Sequence, residues 1–210
     1  MKRTENNWII KNIFKVNILV YILGIIAILI GSFKEYLILN IIIIVHELGH
    51  FLVAKLLKVD VKKIYIYPLG GITKFNMPLN TKNIIEFLIL IAGPLFQNIA
   101  YCSLIYLFPY DKELILIYHI SLLVFNLLPI YPLDGGRILK EFLYIFKGLK
   151  KSYIYTYKIS KITIIVLTAI SSIAILYLSN FAVVIILIYL WALVFIERSR
   201  YKRKMMIYGN

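Results

Sequence analysis

The run Ile41-Ile42-Ile43-Ile44-Val45-His46-Glu47-Leu48-Gly49-His50-Phe51-Leu52-Val53 sets two imidazoles four residues apart with a carboxylate between them. On a helix, positions i and i+4 share a face one turn apart, so His46 and His50 can both point at one ion. Neutral imidazoles bind Zn2+ at about 2.0–2.1 Å, and a carboxylate beside them is placed to take a proton from water at the ion. The pattern therefore supports metal-assisted hydrolysis. In a soluble chain the same five residues can arise by chance. Here they interrupt an apolar run, where each charged group costs at least about 2.5–3.5 kcal/mol to insert into a membrane. A bound metal is the compensating partner that three such residues require.

Two histidines leave zinc short of the three protein ligands of a catalytic site. The remaining candidates at similar depth are His119, Glu86, Asp134 and Glu141. Asp134 stands out because it ends Asn126-Leu127-Leu128-Pro129-Ile130-Tyr131-Pro132-Leu133-Asp134-Gly135-Gly136-Arg137, where prolines and glycines break an apolar span on the side of His50. A non-helical stretch can aim a carboxylate inward and leave backbone groups for a partner. The plainer role for Asp134 is an Asp-Gly turn that ends a helix. His119 falls about two turns before Asn126, nearer the opposite leaflet, and is expected to make a polar contact between helices. Glu86 and Glu141 lie near helix ends, where solvated or helix-dipole roles are expected. The single Cys102 excludes an intrachain disulfide and is read as a packing residue.

These residues need apolar helices to hold them. Of the 210 residues, 61% are hydrophobic, well above the roughly 45–50% of soluble domains. The expected fold is an all-α membrane protein with six transmembrane helices, at about 16–31, 36–57, 84–108, 113–132, 162–178 and 181–196, within a single domain over 1–210. The last two spans, joined by very little chain, are expected to form an antiparallel helical hairpin. Residues 197–210 form a basic tail for which contact with anionic lipid is the default reading. Segment 58–76 departs from the helical pattern: Val59, Val61, Ile64 and Ile66 alternate with polar or amphipathic residues ahead of Pro68-Leu69-Gly70-Gly71. It reads as a short β-hairpin or re-entrant loop at the cytoplasmic face.

The net charge of +14 comes from cations scattered between the apolar spans, which points to a membrane and not to nucleic acid. With the N-terminus inside, all but Lys34 and Lys112 of the 24 Lys and Arg residues fall on the cytoplasmic side. The expected placement is a multi-pass cell-membrane protein with both termini cytoplasmic. The first apolar stretch is followed by Lys34-Glu35 and not by a small-residue cleavage site, so it reads as a retained helix.

HELGH in one span, the Pro-Leu-Gly-Gly turn, Gly93-Pro94-Leu95-Phe96-Gln97-Asn98 in the third span and N-x-x-P-x-x-P-L-D-G-G after it together resemble the site-2 protease family of intramembrane metalloproteases. The likeness covers about residues 16–196 and is nearest the stage IV sporulation FB type. It implies His46, His50 and Asp134 as zinc ligands and Glu47 as catalytic base. It also implies a membrane-associated protein substrate, such as a transcription-factor or sigma-factor precursor. Members of the sporulation type commonly continue into a nucleotide-sensing CBS domain, whereas this chain ends about 14 residues past the final span, so nucleotide regulation in cis is not expected. The lack of an inserted PDZ domain argues against the periplasmic stress-response branch.

An unwound substrate would need a strand to pair with, and segment 64–75, with Gly70 and Gly71 at its turn, could supply an edge. Asn126 is the candidate for holding the substrate backbone, with helix packing as its alternative; Asn98 reads as structural. Inhibitory or adaptor membrane proteins are compatible partners. The rival readings are a membrane metal-ion or proton-coupled transporter and an inactive adaptor. A transporter should have ligands on both sides of an alternating site, yet the strong candidates gather in the cytoplasmic half.

Overall fold

The computed structural model describes residues 14–68, 70–76, 83–178 and 181–208. The cations Lys2, Arg3, Lys11 and Lys82, used above for topology, lie outside the described residues, as does Leu69 of the expected turn. The chain divides into two compact units, Met1–Val124 and Phe125–Asn210.

In the first unit, strand β1 (Phe14–Val16) leads into helix α1 (Ile18–Leu29). Asn17 caps α1 by accepting the Leu19 amide at 2.9 Å. Helix α2 (Phe33–Leu56) carries HELGH, and strands β2 (Asp60–Tyr67) and β3 (Gly70–Asn76) follow. Helix α3 (Asn83–Leu107), a short 3-10 turn (Pro109–Asp111) and helix α4 (Lys112–Leu127) complete it, the last residues of α4 opening the second unit.

The hairpin expected from residues 58–76 is present: β2 and β3 pair antiparallel, Asp60 opposite Asn76 and Tyr67 opposite Gly70, with a register shift between Val61 and Lys63. The sheet order is β1-β2-β3, β1 running parallel to β2 with Phe14 opposite Ile64. Strand β1 was not expected, since three residues ahead of an apolar helix carry too short an alternation to register as a strand. Val59, Val61 and Ile64 pack with Ala54 of α2 and Ile89 of α3, so the sheet is bound to the helix that carries His46, Glu47 and His50 and to α3 beside it. Away from the sheet, Ile38, Ile42 and Ile43 of α2 pack with Leu104, Ile115 and Leu122. Lys34, one of the two cations assigned to the outer side, pairs with Asp111 at 2.7 Å.

In the second unit, helix α5 (Asp134–Leu178) and helix α6 (Phe181–Tyr208) form the expected hairpin, with residues 179–180 outside the described residues. Ile164 of α5 packs with Leu190 and Val194 of α6, and the Trp191 indole donates to Thr168 Oγ1 at 3.0 Å. The expected connection 133–161 is instead helical, interrupted at Gly148, whose φ of 74° only glycine adopts readily. Its many Lys and Tyr residues mask the apolar period, while helix propensity and packing carry the helix through.

Among the described residues, three helical stretches are long and apolar enough to cross a membrane: Phe33–Leu56, Ile84–Leu107 and Asp134–Ser172. Helix α1 is apolar but has 12 residues, and α4 has 16, against the roughly 20 needed to cross. The polarity is nevertheless that of a protein in lipid. Ile25, Ile28 and Leu29 of α1, Ile117 and Val124 of α4, and Ile188 and Phe195 of α6 face outward, while His46, Glu47, His50, Gln97 and His119 are buried.

Candidate metal centre

The buried stretch of α2 brings His46, Glu47 and His50 to within 2–4% exposure. Their potential ligand atoms lie within 4.8 Å of one another. The two imidazoles meet edge-on, centroids 4.9 Å apart at 81°, with their Nε2 atoms 3.2 Å apart. Two nitrogens on one tetrahedral zinc ion, each at about 2.0–2.1 Å, would be about 3.3–3.4 Å apart. The far nitrogens are engaged elsewhere: His50 Nδ1 donates to the Ile89 carbonyl at 2.8 Å, and His46 Nδ1 lies 2.9 Å from Gln97 Oε1. Neutral rings that donate through Nδ1 turn two Nε2 lone pairs toward each other, an opposition that a shared cation relieves.

Glycines open the space in which this happens. A Cβ at Gly49 would meet the Ala92 carbonyl oxygen at 2.6 Å and Phe96 Cβ at 2.8 Å, so the glycine of HELGH lets α2 lie directly against α3. A Cβ at Gly93 would meet His46 Nε2 at 2.8 Å and would press on His50 Nε2 as well. The backbone of α3 thus leaves a cradle at the point where the imidazoles converge. Chemistry of the donors and room at their meeting point both fit a zinc ion.

Glu47 faces strand β3. Thr73 Oγ1 donates to Glu47 Oε2 at 2.6 Å, both residues being buried. A Cβ at Gly71 would collide with the Glu47 carboxylate, so the close approach of β3 depends on glycine there. Gly70, its neighbour, has a φ of 142° and pairs with Tyr67 at the start of the strand.

Asn126 and Asp134 belong to the second unit, and both are buried. Asp134 is the first residue of α5, after a segment containing a cis Tyr131–Pro132 peptide bond. A Cβ at Gly136 would strike the Ile130 and Tyr131 backbone, and one at Gly135 the Leu128 carbonyl at 2.6 Å, so the paired glycines permit the tight fold that precedes the helix. Ser160 braces this segment by donating to the Pro129 carbonyl and accepting the Tyr131 amide, each at 3.1 Å.

Among the other sequence candidates, His119 makes the expected contact between helices: its carbonyl accepts the Gln97 amide at 2.8 Å, and its ring stacks on Tyr101. Asn98 is exposed and donates back to the Pro94 carbonyl at 2.8 Å, a structural role. Glu86 sits in the first turn of α3, where the helix dipole favours a negative charge. Glu141 corrects the expectation of a solvated role: it is 3% exposed and pairs with Lys140 at 2.5 Å. Cys102 also departs from its reading, for it is exposed on α3 and not packed.

Two polar residues at the centre escaped the sequence reading, Gln97 and Thr73. Helical spacing carried a signal for the first, since Gln97 is four residues after Gly93 and shares its face. Strand alternation carried one for the second, since Thr73 is two residues after Gly71.

Comparison with known proteins agrees with this geometry. The chain is 35% identical over 159 residues to stage IV sporulation protein FB of Bacillus subtilis, covering 69% of this chain and 52% of that protein. It is 36% identical over 127 residues to a zinc metalloprotease of Methanocaldococcus jannaschii, covering 56% of this chain and 36% of that protein. It therefore spans about half or less of the length of these curated relatives. The solved structure of a site-2 protease from M. jannaschii superposes with a TM-score of 0.67 at 25% identity, covering 88% of this chain and 89% of that one. Residues 35–111 and 112–170, which include the HELGH helix, the hairpin, Gly93, Gln97 and Asp134, match the family profile, and the chain is a member of peptidase family M50.

Proposed function

We propose that the protein is a zinc-dependent endopeptidase that cleaves membrane-associated protein substrates within the cytoplasmic half of the bilayer. The observation that carries this reading is the convergence of His46 and His50 Nε2 at 3.2 Å beside a Glu47 carboxylate held against a strand. His46 and His50 hold the ion, with Asp134 as the third ligand. Asp134 is supported by its carboxylate chemistry, its burial and its place in the Leu-Asp-Gly-Gly motif. Zinc, when bound, supplies Lewis acidity toward a water molecule and a carbonyl oxygen.

Glu47 takes the proton of the attacking water and delivers it to the departing amine. Thr73 engages Oε2, which orients Oε1 as the proton-accepting oxygen. The substrate must be extended, because a helix conceals its carbonyls in its own hydrogen bonds. Strand β3 is one of the two outer strands of the described sheet and borders Glu47 through Gly71 and Thr73, so a substrate strand added there would pass the catalytic carboxylate. Gly70, Gly71 and Asn126 are assigned to holding that strand. Both termini are placed in the cytoplasm, and a membrane-tethered transcription-factor precursor is the substrate class the family resemblance supports. Family membership gives no support to the transporter alternative.

The test is a reconstituted cleavage assay on single-span membrane peptides, paired with metal analysis. Wild-type protein should cleave in the cytoplasmic half and lose activity to a chelator. Glu47→Gln should keep its zinc, cleave nothing, and retain bound substrates identifiable by mass spectrometry. Scission at the outer leaflet would overturn the topology, and cleavage by Glu47→Gln would overturn the mechanism.

A further inference from the structure

Gln97 lies wholly inside the protein, at 0% exposure, between a candidate metal ligand and a main-chain carbonyl. Its two ends have different partners: Nε2 is 2.8 Å from the His119 carbonyl oxygen, and Oε1 is 2.9 Å from His46 Nδ1. A carbonyl oxygen can only accept, so the NH2 group must face His119. The amide oxygen is thereby committed to His46, where it can only accept, and His46 must carry its hydrogen on Nδ1. In the neutral ring that binds a metal, Nε2 is then the atom with the lone pair, beside His50 Nε2 and the position a Cβ on Gly93 would take.

His50 reaches the same state without any side chain, because its Nδ1 donates directly to the Ile89 carbonyl of α3. At His46 the Nδ1 partner is a side-chain amide oxygen, Gln97 Oε1 at 2.9 Å. Gln97 relays an acceptor from the His119 backbone to His46: its NH2 group donates to the carbonyl of α4, and its amide oxygen accepts from the ring on α2.

We propose that Gln97 is the positioning residue that fixes the tautomer and ring orientation of His46 for metal binding, doing through an amide side chain what Ile89 does for His50 through the backbone. This rests on the zinc-peptidase reading above, and it assigns a function to Gln97 that His119 supports through its carbonyl at 2.8 Å and its Nδ1 at 3.4 Å from the Gln97 amide nitrogen. Partners on the far nitrogen of a ligating histidine typically control metal affinity 10- to 100-fold.

The experiment measures zinc affinity of the purified full chain by competition with a chromogenic chelator, for wild type, Gln97→Met and Gln97→Glu. Methionine keeps approximate length and volume but cannot accept the His46 hydrogen as an amide oxygen does. Glutamate restores an acceptor toward His46 and, in its protonated form, keeps a donor toward the His119 carbonyl. The expected result is about 10- to 100-fold weaker zinc binding for Gln97→Met and binding within about threefold of wild type for Gln97→Glu. Equal affinity in wild type and Gln97→Met would overturn the inference. Should Gln97→Met not fold, the imidazole 15N shifts of His46 in the metal-free wild-type protein decide: a hydrogen on Nδ1 supports the inference, and a hydrogen on Nε2 overturns it. Failure of the wild-type protein itself to bind zinc would instead sink the peptidase reading, so the two failures are distinguishable.

Discussion

The HELGH cluster of the first unit and the Asn126–Arg137 segment of the second prepare polar groups for chemistry by opposite means. In the first, a regular helix supplies the spacing, and contacts from outside it, from Gln97, Ile89 and Thr73, set each functional atom. In the second, the helix is broken, and the path of the main chain through Gly135 and Gly136 delivers the carboxylate of Asp134 to the start of a new helix. The difference teaches where each region is vulnerable. The helical cluster should respond to loss of polar atoms around it, whereas the broken segment should respond to added bulk on its backbone.

The largest effect should come from removing a donor in the broken segment while preserving its shape. Asp134→Asn is nearly isosteric, so its fold should persist while zinc retention through gel filtration and peptide cleavage both fall to background. Full zinc occupancy in that variant would separate Asp134 from the metal centre and dissolve the comparison. Next in size is Gly93→Ala. Its Cβ would intrude on the meeting point of both imidazoles, so zinc stoichiometry should drop well below one per chain, with little change in the melting temperature of the metal-free protein.

Gly135→Ala is the counterpart in the second unit. Its Cβ would run into main-chain carbonyls, which cannot swing aside as a side chain can. Overpacking of this kind costs about 1–3 kcal/mol, so unfolding should shift clearly. If Gly135→Ala kept wild-type stability and Gly93→Ala lost it, the assignment of chemistry to one glycine and chain path to the other would be reversed.

Much of this was legible in the sequence because its signals are periodic. The spacing of His46 and His50 fixes a helical face, and the alternation from Val59 to Ile66 with Gly70-Gly71 announces the hairpin. Asp134 was readable as a candidate because prolines and glycines crowd around it. Gln97 and Thr73 were not singled out, since their importance arises from tertiary neighbours on α2 that no local pattern encodes. The helix at 134–161 was hidden for a related reason: its Lys and Tyr side chains are long enough to be amphipathic, so a polar composition disguised a packed element. Glu141 shows the same effect at one residue, a carboxylate expected in solvent that is buried beside Lys140.

The smallest predicted effect probes whether side-chain support in the first unit extends to the catalytic carboxylate. Thr73→Val keeps the shape and β-branching of the residue and removes only the hydroxyl that engages Glu47 Oε2. Zinc binding should be unaffected, because Thr73 bonds the base and not a histidine. The turnover number should fall about tenfold, in keeping with a lost hydrogen bond to a charged group worth about 1.5–3 kcal/mol, part of which the remodelled site recovers. The substrate KM should change little if Thr73 acts through Glu47, and Thr73→Ser, which retains the hydroxyl, should restore most of the turnover. A rise in KM with turnover unchanged would place Thr73 in strand pairing with substrate instead, making β3 a docking edge that merely passes the base and does not position it.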